Sequence, residues 1–92
     1  MKALCINVQP IKALYSKYEQ VIQYPEIGTV YDVIAYTQYV GKKREFIAYR
    51  LAGIKNKKVK IMGRELHFPK SWFITDDNPS FDKIVEYYKR FH

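Results

Sequence analysis

The spacing of hydrophobic and polar residues changes period along this chain, and each change marks an element. From Lys2 to Val8 the two kinds alternate, with Leu4, Ile6 and Val8 on one side and Ala3, Cys5 and Asn7 on the other. A period of two is that of a strand, and Leu4, Ile6 and Val8 are its expected buried face. Gln9-Pro10 ends it, because proline cannot donate to a ladder. A second strand is predicted from Thr29 to Tyr39, with Tyr31, Val33 and Ala35 inward and Asp32 and Gln38 outward. Val30, Ile34 and Tyr36 break the alternation and predict a second face covered by the 9–27 excursion or by the C-terminal segment. Gly41-Lys-Lys-Arg44 reads as a hairpin loop leading into Glu45–Leu51, where Ile47, Tyr49 and Leu51 face inward and Phe46, Ala48 and Arg50 lie opposite.

After a charged turn over Gly53–Lys58, Val59 and Ile61 face in, while Lys58, Lys60 and Met62 face out. Gly63-Arg64 fits a two-residue hairpin turn with glycine first. Leu66 and Phe68 resume the inward pattern and leave His67 outside. Pro69-Lys-Ser interrupts, and Trp72–Thr75 forms a last short strand with Phe73 inward and Trp72 outward beside Lys70.

Two stretches carry the helical period. In Ile11–Tyr24, Ser16-Lys-Tyr-Glu19 has capping-box spacing, and Leu14, Tyr18, Val21 and Ile22 sit at helical intervals. Tyr, Val and Ile are also strand formers, so this stretch reads as a long excursion containing a helical turn, closed by Tyr24-Pro25 and Gly28. The second helix is predicted over 79–91. Asn78 can cap it, Pro79 suits the first helical position, and Lys89 and Arg90 complement the dipole in the last turn. Phe81, Ile84, Val85, Tyr88 and Phe91 form its apolar stripe. A helix of ~12 residues is marginal alone in water, so the stripe should dock on the sheet or on a partner.

Composition sharpens this picture. Ninety-two residues make one domain, 1–92, divided here into strands over 2–75 and the helix over 79–91. Hydrophobic residues make up 48% of the chain and nine are tyrosine, which argues against disorder. Cys5 is the single cysteine, so no internal disulfide can form and a reducing compartment is the expected setting. No apolar run approaches the ~18–20 residues of a membrane span, and the N-terminal apolar core is too short for a signal peptide. The expected location is the cytoplasm, with no membrane partner.

Charge is unevenly placed. Between Lys42 and Lys70 there are ten basic residues and two acidic ones, a net +8 within a chain of net +7. The positive charge therefore belongs to the middle of the chain.

The spacing of Leu4-Cys5-Ile6, Gly28-Thr-Val-Tyr-Asp-Val33, Tyr49-Arg-Leu51 and Pro69-Lys-Ser-Trp-Phe73 is similar to that of short SH3-like proteins of bacteria and their phages. The stretch Phe68-Pro-Lys-Ser-Trp-Phe-Ile resembles the 3₁₀ turn that precedes the last strand of that fold. The resemblance covers residues 2–75 and implies a mainly β protein, a five-stranded SH3-like barrel, here followed by a C-terminal amphipathic helix. Segment 9–27 and the helix depart from the minimal version. The acidic residues with which SH3 domains grip Pro-rich ligands are not evident, so that activity is not implied. The fold class hosts many unrelated functions.

Catalytic chemistry finds no support. His67 is the one histidine within the strand region, His92 ends the sequence given, and Cys5 reads as an edge or core residue rather than a nucleophile. No Ser/His/Asp or Cys/His order, metal-ligand spacing or glycine-rich phosphate loop is present, and no cofactor is implied. The basic window is the main functional feature. Lys42, Lys43 and Arg44 share one turn, Lys55, Lys57 and Lys58 another, and Lys58 and Lys60 lie on an outward strand face that could bridge them. Alternate hairpin loops of a small barrel emerge at opposite ends, so the clusters need not form one patch. Exposed strand lysines also guard against edge pairing and keep a protein soluble.

An outward Trp72 beside these cations would suit base stacking, as would Tyr39; alternatively Trp72 covers the docked helix. Tyr36, Tyr39 and Phe46 are expected near the surface. The expectation is a small, basic, non-catalytic binding module. It would contact nucleic acid through Lys42, Lys43, Arg44, Lys55, Lys57, Lys58, Lys60, Arg64 and Trp72. The alternative is a protein-interaction module, for instance a mobile-element protein that docks on an acidic host protein.

Overall fold

The computed structural model describes residues 1–9, 22–42, 45–56, 60–61 and 64–91, of which 60, 61 and 64 by their backbone. Among the described residues seven strands appear in chain order: β1 (Lys2–Cys5), β2 (Val30–Val40), β3 (Glu45–Leu51), β4 (Lys60–Ile61), β5 (Arg64–Glu65), β6 (Phe68–Pro69) and β7 (Phe73–Thr75). A 3₁₀ turn, Lys70–Trp72, joins β6 to β7, and a helix, α1 (Phe81–Phe91), follows β7. The protein is thus mainly β with a C-terminal helix. The expected helical turn around Ser16–Glu19 and the inward Val59 lie outside the described residues.

Five strands form one antiparallel sheet in the order β6-β3-β2-β1-β7, and β4 pairs only with β5. The pairing leaves β6 and β7 as the sheet's two edges, so the sheet is open. In a flat sheet β3 and β7 would lie about 14 Å apart, three strand spacings. The rings of Tyr49 on β3 and Phe73 on β7 instead meet at 5.8 Å, which requires the sheet to roll over its inner face. Arg64 pairs with Ile61 as a strand residue, so it is not the turn residue that glycine-first spacing predicts.

The long strand β2 does the bending. Its first residues, Val30–Asp32, pair with β1, and the remainder pairs with β3. At the changeover the register advances two residues on β2, Val33 to Ala35, against one on β3, Leu51 to Arg50. Ile34 is therefore the extra residue of a β-bulge, which bends the strand and raises its twist. The bulge also swaps faces. Val33 shares the Leu51 side, whereas Ala35, Thr37 and Tyr39 fall on the side opposite Tyr49. This corrects the inward assignment of Ala35, which is exposed; Ile34 and Tyr36 are exposed as well, so the second face is not covered there as predicted.

The main core consists of Ala3, Cys5, Tyr49, Leu51, Ile54, Leu66, Phe68, Trp72 and Phe73. β1 is central in the sheet, and Ala3, Leu4 and Cys5 are all buried. The main cluster lies on the Ala3 and Cys5 side, the reverse of the expected face, while Leu4 is enclosed on the other side with its register partners Val30 and Ile74. Of the expected inward set, Tyr49, Leu51, Leu66, Phe68 and Phe73 join the core and Val8, Tyr31 and Val33 pack against it, whereas Leu4 and Ile6 lie outside that cluster and Ala35 and Ile47 are exposed.

Helix α1 begins two residues later than predicted. Ser80, whose carbonyl accepts the Ile84 N–H at 3.0 Å, takes the cap position in place of Asn78, which holds the turn before the helix, its Oδ1 accepting the Ser80 N–H at 2.9 Å and its carbonyl the Phe81 N–H at 3.0 Å. Its stripe is only partly buried. Phe81 is enclosed, Ile84, Val85 and Tyr88 are half-buried, and Phe91 is 66% exposed, packed instead against Tyr87 one turn earlier with ring centroids 4.9 Å apart. The stripe therefore runs out before the helix does.

Candidate interaction surface

The described basic residues of the two turns, Lys42 and Lys55, lie at the two ends of β3. Lys42 is exposed just before the strand and Lys55 is exposed just after it. A strand of seven residues spans about 20 Å, so these two cations are well separated. Lys60 and Arg64 sit on the separate β4–β5 ladder, where Lys60 is directly opposite Glu65. Lys43, Arg44, Lys57 and Lys58 lie outside the described residues.

The aromatic half of the expected surface is corrected. Trp72 is 4% exposed, within a ring cluster that places it 5.5 Å from Phe68 and 6.4 Å from Tyr24. The alternation that put it opposite Phe73 does not apply, because Trp72 belongs to the 3₁₀ turn and only Phe73 to the strand. Tyr39 is buried as well. Its ring stacks on Phe46 at 4.9 Å and its hydroxyl donates to the Glu65 carbonyl at 3.0 Å. Neither ring offers a free face for a base.

What the fold does expose is a groove. A cleft of ≈ 450 Å³ lies along the start of β3, lined by Phe46 and Ile47 on that strand, Pro69 of β6, Lys70 and Ser71 of the 3₁₀ turn, and Phe73 of β7. A smaller cleft beside it shares Phe46, Pro69 and Ser71 and reaches Glu45, Gln9 and Trp72. Phe46 and Ile47 are consecutive and point to opposite faces of their strand. Both line the same cleft, so it runs along the strand's edge rather than over one face. They are 39% and 37% exposed, whereas Ala48, Tyr49 and Leu51 on the same strand are buried.

The cause lies in β6. It pairs only Pro69 with Ala48 and Phe68 with Tyr49. Proline has no N–H to continue the ladder, and the chain turns into the 3₁₀ segment at Lys70. Glu45–Ile47 thus have no strand beside their outer edge among the described residues. The expectation that Phe46 lies near the surface holds. Pro69 three residues before Trp72 carried the signal for the groove, but only the pairing register shows which part of β3 it leaves bare.

Two further polar sites position the surroundings. His67 is not the free outward residue expected: it is half-buried, and its Nδ1 lies 2.8 Å from the Thr37 hydroxyl. Its Nε2 is enclosed with no hydrogen-bond partner among the described residues. Desolvation lowers the imidazole pKa; Glu65 opposes that shift and Arg50 adds to it. Asn56, which sequence reasoning passed over, is buried and clamps Gln23, accepting its N–H at 2.7 Å and donating to its carbonyl at 3.0 Å. Nothing in its neighbourhood in sequence marks it, since a lone asparagine in a charged turn is ordinary.

Among the described residues, no three His, Cys, Asp or Glu side chains gather where they could hold a metal ion, and no helix is long and apolar enough to cross a membrane. Cys5 is buried, and burial raises its thiol pKa, with the Asn7 backbone contact opposing. Comparison with known protein families, with curated proteins and with solved structures finds no match to this chain.

Proposed function

We propose that this chain is a non-catalytic protein-interaction module on an SH3-like barrel frame, and that its docking surface is the groove along β3. The observation that carries the reading is the pair Phe46 and Ile47, two apolar side chains of opposite facing that line one cleft with Pro69 and Phe73. An apolar cleft with a few polar groups at its margin is the usual form of a recognition site. The barrel frame is supported by the strand order, by the bulged strand shared between two neighbours, and by the 3₁₀ turn before the last strand. The burial of Trp72 and Tyr39 removes the aromatic part of a nucleic-acid surface and tilts the balance toward protein. A buried free Cys5 suits a reducing compartment such as the cytoplasm.

The test is a selection of random ten-residue peptides displayed on phage, run against the unaltered protein, Phe46→Ser and Ile47→Thr. In parallel, duplex and single-stranded DNA are titrated at about 50 mM salt, where phosphate contacts are strong. The reading expects enriched peptides that bind the unaltered protein and lose affinity in both groove variants. DNA binding that survives both groove variants and disappears in Lys42/Lys43/Arg44→Ala would overturn it in favour of a nucleic-acid surface.

A further inference from the structure

The joint between β5 and β2 is closed by His67, and it has no place for a charge. Leu66 and Phe68, on either side of His67, are buried, so its backbone is pinned by core residues. Its Nδ1 lies 2.8 Å from the Thr37 hydroxyl on β2, and its Nε2 is enclosed with no hydrogen-bond partner among the described residues. A neutral imidazole fits there in either tautomer. Nδ1 donates to Thr37 and leaves Nε2 a bare acceptor, or Thr37 donates to Nδ1 and Nε2 carries the hydrogen. The imidazolium carries both hydrogens, so in the closed joint its Nε2–H is a charged donor with nothing to accept it. An enclosed charge without a partner costs far more than an enclosed neutral ring.

The charged groups around the ring do not remove that cost. Among the described residues, Glu65 on β5 favours the imidazolium and Arg50 on β3 opposes it, while Thr37 on β2 is neutral. The Glu65 carboxylate is itself engaged, accepting the Asn56 N–H at 3.3 Å, and Lys60 is the register partner of Glu65. Desolvation is the larger influence and keeps the ring neutral below its ordinary range, in agreement with the geometry.

The same joint reaches the groove. Two residues before His67, the Glu65 carbonyl accepts the Tyr39 hydroxyl at 3.0 Å. The Tyr39 ring stacks on Phe46 at 4.9 Å, and Phe46 lines the groove. Thr37, Tyr39 and Phe46 share one face of the β2–β3 ladder, so a movement of β5 away from that face is felt at a wall of the groove.

We infer that His67 is a proton-operated latch: neutral, it closes β5 against β2; charged, it turns out to reach water, and β5 loosens with it. Resting on the reading of the groove as the docking surface, opening the latch also releases Tyr39 from Glu65, loosens Phe46 and weakens docking. The groove is then competent at neutral pH and releases its occupant in mild acid.

The experiment follows the full chain by nitrogen-15 NMR from about pH 7.5 to about pH 5, reading the His67 ring and the amide protection factors of β5 and β1. A peptide enriched on the unaltered protein and sensitive to Phe46→Ser is titrated at both ends of that range. The latch predicts that protection of β5 is lost in step with His67 protonation while that of Ala3–Cys5 holds, and that peptide affinity falls over the same interval. In His67→Gln, which cannot be charged and keeps a partner for Thr37, both should stay level. Tyr39→Phe keeps the ring stack but cuts the link to Glu65, so β5 should still open in acid while peptide affinity no longer follows pH. Protonation of His67 without loss of protection in β5 would overturn the latch, as would the same loss in His67→Gln. Opening of β5 with unchanged peptide affinity would overturn the coupling to the groove and leave the groove reading standing. Failure to enrich any peptide sensitive to Phe46→Ser would overturn the groove reading and the regulation with it, while the β5 measurement decides the latch alone.

Discussion

β3 is one strand with two fates. Its last residues, Ala48, Tyr49 and Leu51, are buried; its first, Glu45, Phe46 and Ile47, are exposed. The residue types do not explain this, since Phe and Ile are at least as hydrophobic as Ala and Tyr. The neighbours do. The sealed half has β6 on its outer edge and Phe73 over its inner face, while the open half begins where Pro69 ends β6. Whether an apolar strand residue becomes core or surface is decided here by one proline on the next strand.

The strongest way to break the contrast is to unseal the closed half. Phe68 is almost fully enclosed, pairs with Tyr49 across the β3–β6 ladder, and stacks on Trp72. Phe68→Ala should destabilise the fold by about 3–5 kcal/mol, the range for emptying a buried phenylalanine site. Urea unfolding measures this directly. A loss under about 1 kcal/mol would mean that the sealed half is not closed by β6 at all.

Next in size is the polar clamp that follows the sealed half. Asn56 satisfies both backbone groups of Gln23 from a buried position. Asn56→Ala leaves those groups without their partner and should cost about 1–3 kcal/mol. Amide exchange should accelerate at Gln23 before it does at Tyr49. Uniform acceleration over both would show that the clamp belongs to the global unfolding unit.

This asymmetry marks what sequence could and could not disclose. Period-two alternation located β1, β3 and β7, but on β1 it chose the Leu4 side where the main cluster lies on the Ala3 and Cys5 side, and on β3 it turned Ile47 inward where it is exposed. It failed on β2 because the bulge at Ile34 inserts one residue and exchanges the faces beyond it, and no residue type at Ile34 announces a bulge. It failed on Trp72 because period two was extended into a 3₁₀ turn. The helix was legible from Asn78-Pro79 and its stripe, but a stripe tells which side is apolar, not how far the sheet extends beneath it. The basic window was legible as composition; of its two turns only Lys42 and Lys55 are described, before and after β3. The groove was not, because it depends on where one strand stops relative to another.

His67 gives a smaller effect at the boundary between the two halves. Its partner Thr37 is paired with Ala48, the first sealed residue. Desolvation holds the folded imidazole below its ordinary pKa of 6.5. Between that lowered value and 6.5 the unfolded chain binds the extra proton, so stability rises with pH through this window. The contribution is complete above the unfolded pKa and is lost as pH falls through the folded one. Urea midpoints taken from about pH 7.5 down to about pH 5, above the main carboxylate range, should therefore decline. His67→Gln should flatten that decline while retaining a partner for Thr37. An unchanged slope in the variant would assign the pH dependence to other groups.

The least costly change is on the open half, and it completes the comparison. Ile47 lines the groove, is over a third exposed, and lies on the edge that β6 does not reach. Ile47→Thr keeps the β-branched shape that strands favour and removes little enclosed apolar area. Its effect on stability should stay within about 0.5 kcal/mol, as for surface positions generally. Its effect on peptide capture should be far larger, because an apolar wall of the groove is gone. Leu51→Ala, four residues along the same strand and almost fully buried, should do the reverse and cost about 2–5 kcal/mol. If Ile47→Thr proved as destabilising as Leu51→Ala, the first half of β3 would be core, and the exposed edge on which the binding argument stands would not exist.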